Sequence, residues 1–471
     1  MSFIRYKKRG NKFYVYEVTA FWDKETKKPK QESKYLGVSD VESGEYNKPG
    51  KVTSVRIEKK IVDFGDSFAI AQIAKNSGFA DVIKDSFADY DSTMGLVCYQ
   101  MLEGSAMHLC EDWLSDNVAK HLFSKAKLTS ASISRLIKSL GDEGAQRKFF
   151  KNYINKFFSG SHGILIDSTS LPSCINASIN AFGYGSDGIE QNVGCLMLVD
   201  QATKLPIYFR AIAGDIADVS TLKCTIDEIV RLGLKTDSAI LDAGYFCESN
   251  IRYLCEQDIN FVTRMPKSRK IYKQLIDSVG DIARHANAVL YGKRAVFIKS
   301  IDTNLYDNRM FAHVILDPSK RAADIQNILR ESNAEDYSSE ELDEKMRYAG
   351  YFILVSRKEI ERKEILPTYY TRQTIEQIFG FAKSANNILP LRVHSQESVN
   401  GFMMLVFLSL ILFTLMRQKL IGKYTVEQAF LILRGLKAKI YDSEIIPLEL
   451  NKKSKNILSL LDIMMPNVLG I

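Results

Sequence analysis

The chain of 471 residues is longer than one ordinary hydrophobic core fills, so roughly two to four domains are expected. With 46% hydrophobic and 25% charged residues it has a globular composition, which excludes a disordered or fibrous chain. Seven dispersed cysteines without a Cys-x-x-Cys pair exclude a disulfide framework and a zinc site, and place the chain in a reducing cytoplasm.

Residues 1–62 read as a small basic β-rich module. Met1 to Gly10 is basic, but no apolar run follows, so no secretory leader is expected. Lys12 to Trp22 has strand composition, Asp23 to Lys30 is a charged turn, and Ser33 to Gly37 suits a return strand. Met1 to Lys60 holds 15 Lys+Arg against 8 Asp+Glu; 15 − 8 = +7 equals the excess of the whole chain. A basic first segment on a near-neutral body points to an anionic partner, most simply nucleic acid. Its lysines with interleaved Tyr, Phe and Trp suit a grip on a phosphate backbone, and equally an ordinary small β-sheet.

Residues 63–158 carry helical periodicity and are expected to form a DNA-binding domain. Leu128 to Gly141 has a Thr/Ser start, apolar spacing at Ile133, Leu136, Ile137 and Leu140, and a Gly stop. Arg135 and Lys138 then suit a helix entering a DNA groove. Any capped amphipathic helix has the same features.

From 159 to 264 the strand signal dominates. Ile164-Leu165-Ile166 ends at Asp167, and Ala239-Ile240-Leu241 ends at Asp242. Gly194 to Val199 and Leu205 to Arg210 flank Asp200 to Thr203 as a hairpin, and a helix is predicted from Val219 to Leu232. Hairpins followed by strands alternating with helices imply an α/β fold with a mixed sheet. Residues 265–350 read as a β-rich insertion with a charged helical part. Residues 351–420 return to the core with Tyr351 to Ser356, and 421–471 form a helical tail. Gly401 to Met416 is the longest uncharged apolar run, just short of a membrane span, and is expected as a buried core helix. No membrane association is expected.

Tyr369 to Lys383 reads as one helix. At about 100° per residue from Tyr369, Arg372 falls near 300°, Glu376 near 340° and Lys383 near 320°, all roughly on one polar stripe. Ile375, Ile378, Phe379 and Ala382 fall on a core-facing side. The stripe alone equally describes a solvated helix face. Its meaning comes from Asp167 and Asp242, because ligands of open α/β sheets gather where strands end. Adjacent strands bring the two carboxylates together, and Glu376 completes a trio. Crowded carboxylates need a cation, and oxygen-only ligands favour Mg²⁺, or Mn²⁺ in its place. Each aspartate alone also suits a turn or cap.

Tyr369, Arg372, Glu376 and Lys383 match the Tyr-x2-Arg-x3-Glu-x6-Lys signature, and the chain here resembles the insertion-sequence DDE transposases. Ile164 to Thr169 is similar to the region of their first catalytic aspartate, Leu241 to Phe246 to that of the second, and Leu391 to Gly401 to the segment before their apolar helix. The resemblance covers roughly residues 160–415. It implies a ribonuclease-H-like core interrupted by a β-rich insertion, and a homodimer that synapses two element ends. It implies Asp167, Asp242 and Glu376 as catalytic metal ligands, with Tyr369, Arg372 and Lys383 holding the DNA end. The substrates implied are double-stranded DNA at terminal inverted repeats and a target duplex. A base-flipping aromatic is implied in the insertion, with Tyr291, Phe297 and Phe311 all open. Two further readings share these residues: a nuclease that does not join strands, and a transposase-derived DNA-binding protein without catalysis.

Overall fold

The computed structural model describes residues 2–10, 12–23, 27–42, 45–46, 58–173, 175, 179–185, 188–216, 218–332, 337–384 and 395–470. The chain divides into two compact units. The first comprises Met1–Lys60, Lys439–Ile446 and Val468–Ile471, and the second comprises Ile61–Ala438 and Pro447–Asn467.

The first unit carries a three-stranded antiparallel sheet of β1 (Ser2–Arg9), β2 (Lys12–Asp23) and β3 (Lys28–Ser39), with β2 in the middle. Arg9 pairs with Lys12, so the β1–β2 turn is as tight as a hairpin allows. Gly10 takes φ +61 there, a left-handed conformation that glycine adopts without steric cost.

The second unit is a mixed α/β body on a ten-stranded sheet. Its strands are β4 (Ser161–Pro172), β5 (Ala181–Gly185), β6 (Gly188–Asp200), β7 (Pro206–Ala213), β8 (Lys235–Leu241), β9 (Asn260–Arg264), β10 (Ala288–Tyr291), β11 (Arg294–Leu305), β12 (Asn308–Leu316) and β13 (Tyr351–Ser356). They lie in the order β10-β11-β12-β13-β9-β8-β4-β6-β5, with β7 also paired to β6. The central strands β4, β8 and β9 are parallel, and their other neighbours run antiparallel. Ile164, Leu165, Ile166, Ala239, Ile240, Leu241, Phe261 and Val262 are all buried, as strands covered on both faces require.

Three features differ from the sequence reading. The stretch 421–471, expected as a helical tail, also holds the strands Lys437–Ile440, Glu444–Pro447 and Leu469–Gly470, whose residues pair in a further small sheet. β4 does not stop at Asp167; Ser168 to Pro172 continue it by pairing with Leu196 to Asn192 of β6. Cross-strand pairing here overrides the turn tendency of Ser168-Thr169-Ser170. The stretch 265–350 also adds to the main sheet: β11 pairs β12, and β12 pairs β13.

Several helices gather around one long apolar rod, Gln396–Leu420. The helices that matter here are α1 (Gly65–Asn76), α2 (Tyr90–Leu102), α3 (Ser130–Leu140), α4 (Glu143–Phe157), α5 (Ile365–Tyr370), α6 (Gln373–Ser384) and the rod itself, α7 (Gln396–Leu420). By length and composition α7 is apolar enough to cross a membrane, yet it is mostly buried. It packs against α1, α2, α3, α6 and β7, as expected of a core helix. Phe407 of α7 sits 5.5 Å from Phe150 of α4 and 5.2 Å from Phe209 of β7, ring centre to ring centre. The N-terminal helices therefore share a core with the sheet. α3 and α7 touch backbone to backbone: a Cβ on Gly401 would lie 1.7 Å from the Ile137 carbonyl oxygen.

Candidate active site

Strand register sets the site. Ile166 of β4 pairs with Leu241 of β8, and Leu241 pairs with Thr263 of β9, all in parallel. The next residue on each strand is Asp167, Asp242 and Arg264. Asp167 stays in β4 opposite Met197 and is only 9% exposed. Asp242 leaves the sheet into a short 3₁₀ turn, Ala243–Tyr245. Thr263 Oγ1 donates to the Asp242 carbonyl oxygen at 3.2 Å and ties that exit to β9.

The second half of the site comes from the junction of α5 and α6. The single helix expected from Tyr369 to Lys383 is broken at Thr371 and Arg372. Three-residue bonds close the break, from Thr371 N to Thr368 O and from Arg372 N to Tyr369 O, each 3.3 Å. Ile375, Ile378, Phe379 and Ala382 are buried as expected. Phe381 stacks on Phe413 of α7 at 3.5 Å and anchors α6.

At the break, Arg372 meets all three predicted carboxylates. Its Nη2 lies 3.3 Å from Asp167 Oδ2, and its Nη1 lies 3.6 Å from Asp242 Oδ1 and 3.3 Å from Glu376 Oε1. The Tyr369 hydroxyl donates to Asp242 Oδ1 at 3.3 Å from a buried ring. Five of the six predicted residues thus converge. The sixth, Lys383, lies further along α6 and lines a small cavity with Thr169, Cys195 and Phe379. The break and the burial of Tyr369 replace the one continuous polar stripe read from the sequence.

Burial raises the Asp167 carboxyl to about 6. Arg372 and the Ser168 amide oppose that rise, while Asp242 and Glu376 add to it. Burial disfavours the charge of Arg372, but the facing carboxylates outweigh it and hold the guanidinium above its ordinary value. Burial, then the Asp242 charge, raises the Tyr369 phenol. Three carboxylates against one guanidinium leave 3 − 1 = 2 negative charges when all are ionised.

That excess, carried by oxygen donors alone, suits a hard divalent cation. Arg372 fills the space between the donors in this arrangement. Among the described residues no group of three His, Cys, Asp or Glu is set to share one metal ion. The Arg372 Nε is buried without a hydrogen-bond partner, so part of the guanidinium is unsatisfied where it sits. By chemistry the donor set suits such a cation, while the space between the donors is held by Arg372.

Two neighbours were not singled out from the sequence. Arg264 stands level with the aspartates through β9, and only strand register reveals it. Tyr370 stacks on Tyr291 at 5.5 Å and 22°, beside Tyr369. Of the insertion aromatics left open by the sequence, Tyr291 stacks on Tyr370, while Phe297 and Phe311 lie on β11 and β12; all three are half-buried. Leu391 to His394 of the family-like segment lie outside the described residues.

A family model described as a transposase DDE domain matches residues 159–412. No curated protein matches the chain. Among solved structures, the chain is similar to a cryo-EM structure of the piggyBac transposase synaptic complex with hairpin DNA. That likeness is at 11% identity and a TM-score of 0.38, over 84% of this chain and 70% of that one.

Proposed function

The chain belongs to the transposase DDE-domain family and acts in DNA transposition; from that premise we propose that it cuts DNA at terminal inverted repeats and joins the freed ends to a target duplex. The observation that carries this reading is the convergence of Asp167, Asp242 and Glu376 on Arg372. The three carboxylates are read as ligands for Mg²⁺ or Mn²⁺, within a core of ribonuclease-H-like type. Asp167, Asp242 and Glu376 would hold the ion, which would supply activation of water or a 3′-hydroxyl and charge stabilisation of the leaving oxygen in phosphoryl transfer.

The chain's own groups divide the remaining work. Arg372 offsets one of the three carboxylate charges in the present arrangement. On withdrawal its planar guanidinium suits two oxygens of a DNA phosphate. Tyr369 is held by Asp242, and its raised phenol stays a hydrogen-bond donor at neutral pH. Lys383, beside Thr169, suits the DNA end beyond the cleaved bond. The working form is read as a homodimer that pairs two element ends, in the cytoplasm.

Strand transfer is the test. A pre-cut terminal duplex with a free 3′-hydroxyl, a supercoiled plasmid and Mg²⁺ are incubated with the protein. Joined products support transposition. Plasmid nicking without joining supports a nuclease, and duplex binding without either reaction supports a protein that only binds DNA.

A further inference from the structure

The three-stranded sheet of the first unit has two chemically unlike faces. Side chains alternate along a strand, and residues paired across strands share a face. Tyr14 and Tyr16 of β2 pair with Lys7 and Arg5 of β1, and Lys12 pairs with Arg9. Tyr16 pairs with Tyr35 of β3 on the other side. One face therefore carries Arg5, Lys7, Arg9 and Lys12 beside Tyr14, Tyr16 and Tyr35. All four cations are exposed.

Among the described residues of the three strands, that face holds no acidic side chain. Glu17, Asp23 and Glu32 all fall on the opposite face, where Glu17 pairs with Lys34, Asp23 with Lys28 and Glu32 with Thr19. The opposite face thus mixes charges, with Lys8, Lys28, Lys30 and Lys34 beside those three acids for an excess of 4 − 3 = +1. Sorting cations from acids in this way is not needed for sheet stability, since like charges side by side repel.

The cationic face is also ordered. Arg5, Lys7 and Arg9 recur every second residue, which advances roughly 6.7 Å per cation along a strand. The tyrosines support the row: the Lys7 ammonium lies 5.6 Å from the Tyr16 ring centre, and Tyr16 packs on Tyr35 at 5.3 Å. Arg5 Nη2 donates to Gln31 Oε1 of β3 at 3.2 Å. A row of cations flanked by tyrosine rings and hydroxyls matches the groups proteins use on nucleic-acid phosphates.

We infer that this face of β1–β3 docks on the phosphate backbone of double-helical DNA, through Arg5, Lys7, Arg9 and Lys12. The inference rests on the transposition reading for the choice of polyanion. It places DNA binding on residues distinct from Asp167, Asp242 and Glu376, so it is tested without metal.

The experiment measures binding of the full chain to duplex DNA in EDTA across a salt series. The variant Arg5→Ala/Lys7→Ala/Arg9→Ala/Lys12→Ala is compared with Lys8→Ala/Lys28→Ala/Lys30→Ala/Lys34→Ala, which loses the same charge from the other face. The first variant is expected to bind at least about 10-fold more weakly at low salt. Its salt slope is expected to fall by roughly 3.6, at about 0.9 for each phosphate no longer neutralised. The second is expected to change less than about 3-fold. Lys7→Ala alone is expected to lower the slope by about 0.9, which keeps the test decisive if the fourfold variant misfolds. Equal losses in both fourfold variants, no loss in the first, or weakened binding to anionic vesicles with duplex binding intact would each overturn the inference. Failure of DNA cleavage with this binding pattern intact would count against the active-site reading alone.

Discussion

Arg372 reaches Asp167 across 205 residues of sequence, with its Nη2 3.3 Å from Asp167 Oδ2. The same guanidinium serves Asp242 and Glu376, so one cation holds three acids in a half-buried site. Removing it leaves the carboxylates facing one another. Arg372→Ala is expected to destabilise the protein by about 2 kcal/mol at neutral pH, below the cost of breaking a fully buried pair because two partners are solvated. Mg²⁺ is then expected to raise the melting temperature of Arg372→Ala more than that of the wild type. Thermal melts with and without Mg²⁺ measure both effects.

Asp167 gives the site a defined pH response. Its native carboxyl is raised by burial from 3.8 to about 6, so the folded state holds its proton more tightly than the unfolded chain. The stability this group contributes is fully present below about pH 3.8 and is lost as pH rises through about 6. Its ionisation costs the fold on the order of 3 kcal/mol at neutral pH. Asp167→Asn removes that cost. The variant is expected to be more stable than the wild type at pH 7, with the difference vanishing near pH 4. Urea unfolding at both values checks the sign; an unchanged difference contradicts the buried ionised carboxylate.

The crossing of α3 and α7 allows no side chain at Gly401, where a Cβ would overlap the Ile137 carbonyl oxygen. Gly141 is its counterpart, its Cβ position lying 1.8 Å from the Glu397 carbonyl oxygen. Gly401→Ala is expected to destabilise the second unit by about 3 kcal/mol, as overpacking at a rigid crossing does. It forces apart the helix that carries Phe407 and Phe413. Denaturant unfolding of the variant tests it.

The parts of the site legible in the sequence were those set by local pattern. Ile164-Leu165-Ile166-Asp167 and Ala239-Ile240-Leu241-Asp242 announced buried strands reaching carboxylates, and parallel pairing put them level. The apolar spacing of Ile375, Ile378, Phe379 and Ala382 gave the buried side of α6 correctly. The break at Thr371 and Arg372 was not legible, because helical periodicity runs through it without proline or glycine. That break turns Arg372 into the acids and leaves Lys383 beside Cys195. Pairing of β12 with β13 was hidden for a related reason: local composition shows a strand but not its neighbour. Arg264 was invisible until register aligned it with Asp242.

The most direct test of the central claim is Mg²⁺-dependent cleavage of duplexes spanning the DNA that flanks the gene. It compares the wild type with Asp167→Asn, Asp242→Asn and Glu376→Gln. Each variant is expected to bind the duplex and to lose cleavage by at least about 1,000-fold, the scale expected when transition-state stabilisation by a charged centre is removed. Wild-type cleavage by any one of them contradicts the proposal that the three carboxylates act together.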